Sequence, residues 1–305
     1  MKTIAEHDFT TYPRRFDAYR WHKPLLVDLL FAVFIVIALF SIEAITRAVF
    51  GVSVSSTGYD DMDFFSAAGA FNNAATAAAV IPCLLLAALI VKDRPISSYF
   101  SSMGGWRWMV FLKTLAVGFV ILGIPTIVSL LLQGRTGDMQ FTVGSFIILL
   151  LLVPLQGIGE ELVYRGYIMQ TVSSWFKLPI LGIIVQLLIF TAVHPYNIVG
   201  IVEISVSALL YALVCIYSNG LESCSALHIV NNMTEIFMAG FGFGLITAEQ
   251  TIPGVALNLA LKIAFFLFIL YAAKKLHWFD AVKRDDVERF NAKRKASVAT
   301  ARHRK

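Results

Sequence analysis

The sequence predicts an all-α fold, a polytopic transmembrane helical bundle of about eight spans, and three observations carry that prediction. Hydrophobic residues make up 58% of the chain and charged residues only 15%, where a soluble domain carries about a quarter charged residues. The apolar residues gather in long runs. The net charge of +5 collects at the two ends, in Lys2, Arg14, Arg15, Arg20 and Lys23 at the start and from Lys274 to Lys305 at the finish. Basic ends on an apolar body suit the inner face of an anionic membrane rather than nucleic acid. No internal repeat, glycine-rich phosphate loop or soluble domain is readable.

A span needs about 20 mainly apolar residues to cross about 30 Å of hydrocarbon at 1.5 Å per residue. Eight runs meet this: 25–46, 68–91, 109–132, 141–172, 178–195, 199–217, 221–246 and 252–273. The first follows a polar segment and is longer than a signal-peptide core, so it reads as an uncleaved span. An acidic loop with Asp60, Asp61 and Asp63 separates it from the second. Lys92, Arg94 and Arg107 lie between the second and third. The fourth is long, and only Phe141 to Ile158 is fully apolar. Lys177 divides the fourth from the fifth, and the turn His194-Pro195-Tyr196-Asn197 divides the fifth from the sixth. Lys274 and Lys275 follow the eighth. The alternation of basic and acidic loops places both termini in the cytoplasm. The polar tail from Arg284 reads as solvated and partly disordered, touching anionic lipid. Cys83, Cys215 and Cys224 show no metal-binding spacing and read as small core residues.

Ionisable residues inside spans are expensive, at least ~2.5–3.5 kcal/mol each at mid-span, so they point to chemistry. In Gly159-Glu160-Glu161-Leu162-Val163-Tyr164-Arg165, Glu161 and Arg165 are one helical turn apart and can pair, while Glu160 lies about 100° around the helix and stays free. His194 ends an apolar run with Phe190 one turn behind it. His228 and Asn232 share a face one turn apart, and both can donate hydrogen bonds to one point. Asn231 faces elsewhere and suits interhelical bonding. Glu203 and Glu235 have no readable role.

Each cluster alone also fits a structural part. Together, the ordered patterns Glu160-Glu161-x-x-x-Arg165, Phe190-x-x-x-His194 and His228-x-x-x-Asn232 resemble the CAAX protease and bacteriocin-processing family, the type II CAAX endopeptidases or Abi family. That resemblance implies an intramembrane glutamic endopeptidase without metal or cofactor, acting on a peptide or membrane-protein substrate. Glu160, assisted by His194, would activate water. His228 and Asn232 would stabilise the oxyanion, and Glu161 and Arg165 would support them. The expected organisation is a cytoplasmic basic segment 1–24, a membrane domain 25–273 with a peptidase core about 141–246, and a basic cytoplasmic tail 274–305. A bacterial plasma membrane is the expected location.

The assignment is chemically sensible: fixed donors in a low-dielectric cavity stabilise the charge that develops on a cleaved amide. Helix rise provides a check on depth. Glu160 and His194 lie about 22 and 24 Å from the inner ends of their spans, His228 and Asn232 only about 12 and 18 Å from Gly220. Two other readings remain at this stage. One is a zinc peptidase with Glu160, His194 and His228 as ligands. The other is a non-catalytic membrane scaffold or bacteriocin-immunity protein.

Overall fold

A computed structural model describes residues 8–54, 59–280 and 286–303; Lys2, Arg284 and Lys305 lie outside them. The described chain is all helix, with no strand and one isolated backbone bridge between Ser101 and Gly220. In chain order the helices are α1 (Lys23–Phe50), α2 (Ala67–Val91), α3 (Trp108–Gln133), α4 (Val143–Phe176), α5 (Pro179–Ala192), α6 (Ile198–Ser218), α7 (Glu222–Gly240), α8 (Ile252–Leu276) and α9 (Asp286–His303).

Local chemistry sets their ends. Proline occupies the first turn of α1, α5 and α8, where a missing N–H leaves no intrahelical bond unmade. Thr142 and Ser145 cap α4 reciprocally, and the Asn197 side chain accepts from the Gly200 amide to start α6. Lys92, Lys177 and Asn219 take left-handed conformations where α2, α4 and α6 stop. Pro154 lies inside α4, and the stretch Leu162–Met169 is wound as a π-helix directly after the paired glutamates. Such turns concentrate at functional sites.

Six helices, α1, α2, α3, α4, α6 and α8, are long and apolar enough to cross a membrane. The other two of the eight expected spans differ for separate reasons. With 14 residues, α5 is only about 21 Å long, short of the ~30 Å of a hydrocarbon core. With 19 residues, α7 is nearly long enough, but it is too polar for the hydropathy of a lipid-facing helix. Most of its residues are buried, from Glu222 to Asn231 without a break. It is a central helix, packed on α3, α4 and α6, with most of its polar side chains against protein and Glu235 exposed. Helix α4 reaches α7 closely because Gly157 has no side chain: a Cβ there would stand 3.0 Å from the Ile229 side chain.

The tail departs from its expected disorder. As α9 it docks on the N-terminal segment: Phe290 packs edge-on to Phe16 at 5.5 Å, and Asn291 bonds the Asp17 amide and the Arg15 carbonyl.

Candidate active site

Two consecutive carboxylates on α4 point to different environments. Glu161 is fully buried, and its Oε1 accepts from Arg165 Nη1 at 3.0 Å. The π-winding does not break this pair. The guanidinium also donates to the Ala208 carbonyl on α6 and lies over the rings of Phe190 and Tyr211, 4.6 and 5.4 Å from their centroids. The arginine is thus held between α4, α5 and α6 by charge, hydrogen bonds and two aromatic faces. Glu160 is partly exposed, and its Oε1 accepts from Gln156 one turn back at 3.0 Å.

His228 of α7 is inserted between these carboxylates. Its Nδ1 lies 2.8 Å from Glu161 Oε1, and its Nε2 lies 3.6 Å from Glu160 Oε2. Tyr211 and Phe190 flank the imidazole, with ring centroids 5.4 and 6.4 Å away. An arginine–carboxylate–imidazole relay therefore aims one histidine nitrogen at the other carboxylate. The depth difference expected between α4 and α7 is closed for His228, since the count started from Gly220, which is not a surface residue. It is buried under the segment around Ser101, and Leu221 N donates to the Phe100 carbonyl at 2.8 Å. Arg107 anchors the same helix end through three bonds to buried Glu222, one from its backbone amide and two from its guanidinium.

His194 is placed differently. It is half-buried at the end of α5, with Nδ1 2.6 Å from the Phe190 carbonyl. Its ring packs on Phe190 at 4.6 Å and on Tyr196 at 5.7 Å. Among the described residues no hydrogen bond or ion pair joins it to Glu160. Burial, then neighbouring Tyr59 and Glu235, push the Tyr196 phenol upward, so it stands beside His194 as a neutral hydroxyl. Asn232 is half-buried, and its Oδ1 faces the Asn231 amide at 3.4 Å. No described bond ties it to His228.

A second polar cluster continues along the same face of α7. Asn258 of α8 donates to Asn231 at 3.0 Å and to Glu235 at 3.3 Å. Lys262 of α8, 2% exposed, donates to Glu203 and Ser207 of α6 at 2.9 Å each. Sequence reading missed Lys262, Asn258, Gln156 and Tyr211. For Lys262 the signal was present, since a lysine inside an apolar run needs a partner, but the partner is not readable from spacing.

Among the described residues, three potential metal-ligand atoms converge within 4.8 Å only at Glu161, Cys215 and Cys224. Glu160, His194 and His228 do not form such a group.

Residues 142–234 match the family model described as type II CAAX prenyl endopeptidase, Rce1-like. The match runs from the cap of α4 into α7 and contains all three motifs. No curated protein and no solved structure gives a match.

Proposed function

We propose that this chain, an integral membrane protein of the CAAX protease family, is an intramembrane endopeptidase that hydrolyses a peptide bond with water activated by Glu160. The observation that carries the reading is His228, brought from α7 to within 3.6 Å of Glu160 while its other nitrogen is held by Glu161. A motif pair on separate helices has no structural need to meet in this way.

In this reading Glu160 takes a proton from water as the oxygen attacks the scissile carbonyl, then passes it to the leaving nitrogen. His228 and Asn232 donate to the carbonyl oxygen as its charge develops. In its doubly protonated form His228 donates through Nδ1 to Glu161 and through Nε2 toward the reacting centre. Arg165 and Glu161 fix the ring so that this donor needs no reorganisation. His194, at the end of α5, assists Glu160 in activating the water. No step calls on a metal. The substrate is a hydrophobic or membrane-associated peptide or protein. Both termini face the cytoplasm of a bacterial plasma membrane, with the basic ends on anionic lipid.

The test is a cleavage assay by comparative peptidomics of membranes bearing wild type, Glu160→Gln or His228→Ala. Each variant inserts stably and loses cleavage by about 10²–10⁴-fold, the usual share of a positioned acid–base group. Cleavage and phenotype surviving in Glu160→Gln would leave a scaffold or immunity protein. Loss of cleavage under strong chelation would favour zinc.

A further inference from the structure

We propose that Cys215 and Cys224 form a reversible disulfide that displaces the His228 ring when it closes; its effect on cleavage rests on the roles given above to Glu160 and His228. Cys215 sits on α6 and Cys224 on α7, both fully buried and both free thiols, with their sulfurs 2.6 Å apart. The connection between them is tight. Gly220 N donates to the Cys215 carbonyl at 3.1 Å, and the Ser218 hydroxyl bonds the carbonyls of Val214 and Gly220. The two sulfurs are therefore held together by the turn that joins their helices.

A shared metal fits these sulfurs less well. Two thiolates on one tetrahedral zinc, each about 2.3 Å from the ion, stand roughly 3.7 Å apart. The third group nearby, Glu161, already carries Arg165 and His228 on Oε1.

The coupling to catalysis is geometric. Cys224 lies one turn before His228 on α7, so the two side chains share a face. Glu161 Oε2, buried and without a hydrogen-bond partner, belongs to the carboxylate that converges with both sulfurs within 4.8 Å. In the reduced state the Cys224 thiol donates to the Leu221 carbonyl at 3.1 Å, with the Cys215 sulfur against it. Oxidation removes both S–H groups and draws the start of α7 onto α6, which shifts the ring that Glu161 orients.

Hydrogen peroxide, small and uncharged, is the oxidant class. One sulfur attacks a peroxide oxygen, the O–O bond breaks and water leaves, giving a sulfenic acid. The second sulfur attacks the first, and the displaced hydroxide takes the remaining thiol proton as a second water. Two electrons pass from the sulfurs to the peroxide. A dithiol reductant reverses the step.

The full chain in detergent micelles is treated with peroxide, its remaining thiols are alkylated after denaturation, and its digest is read by mass spectrometry. The expected result is a Cys215–Cys224 peptide pair, two hydrogens lighter, with Cys83 still alkylated, and reversal by dithiothreitol. Both thiols remaining alkylatable would overturn the proposal. So would zinc that copurifies with wild type and is lost from both Cys215→Ala and Cys215→Ser. In the same preparations peroxide lowers peptide cleavage by roughly ten- to a hundredfold, the scale of a 1 Å misplacement. Cys215→Ala and Cys215→Ser are indifferent to it. A disulfide that forms without changing wild-type cleavage would sink the coupling. An untreated enzyme that cleaves nothing would instead sink the peptidase reading, and the thiol chemistry would stand on its own measurement.

Discussion

Helices α1 and α7 have opposite designs. Along α1 the apolar side chains point outward, with Leu29, Phe40 and Val49 all well exposed, and only Pro24, Val27, Ile42 and Thr46 are buried. Along α7 the surface is turned in, with Glu222, His228 and Asn231 all buried. The solvent of α1 is lipid, so its sequence needs only to be apolar. The solvent of α7 is other helices, so it can hold polar groups wherever a partner meets them. Hydropathy therefore identifies the membrane-facing helices best and the buried helix that carries His228 worst.

The contrast can be broken first at Arg165. Arg165→Leu takes the guanidinium from buried Glu161 and leaves His228 as its one remaining partner, at up to about 3–5 kcal/mol of stability. Thermal unfolding in micelles should show the largest fall of the set, and Glu161→Gln in the same chain should recover part of it. Lys262→Met tests the second polar cluster. Glu203 keeps some access to its surroundings, so the loss should be smaller, roughly 1–3 kcal/mol. Phe190→Leu removes one aromatic face from the guanidinium and the packing of His194, an expected ~1 kcal/mol with some loss of cleavage. On the outer helix, Phe40→Leu exchanges one lipid-facing apolar group for another and should stay within about 0.5 kcal/mol. A fall there as large as at Arg165 would show that α1 is buried against a partner and would end the comparison.

These residues also show what was legible beforehand. The six long apolar helices follow from run length, and the Glu161–Arg165 pair follows from one-turn spacing that π-winding does not disturb. Other features depend on contacts across helices. Nothing in the spacing of α7 places His228 between the carboxylates of α4, and counting rise from Gly220 misjudged its depth because that glycine lies under the Phe100–Ser102 segment. The Glu203–Lys262 pair joins residues 59 positions apart, beyond any local periodicity. Helix α9 was hidden by its polar composition, since its order comes from Asn291 and Phe290 meeting residues at the other end of the chain. The family pattern named the groups; the packing shows their neighbours.

The π-wound stretch Leu162–Met169 gives α4 a further property. A π turn holds one more residue than the helix around it, so the glutamates and the end of the helix at Phe176 are out of phase with what an uninterrupted cylinder would give. Deleting a single residue inside the stretch would restore regular winding and leave the two halves in phase, whereas the same deletion in regular α winding would rotate one half against the other by about 100°. A one-codon deletion there would therefore exchange the π turns for regular ones without turning the carboxylates away from His228, whereas a one-codon insertion would have to be absorbed by further unwinding. The wider turn, rather than a rotation of the helix, thus absorbs the extra residue.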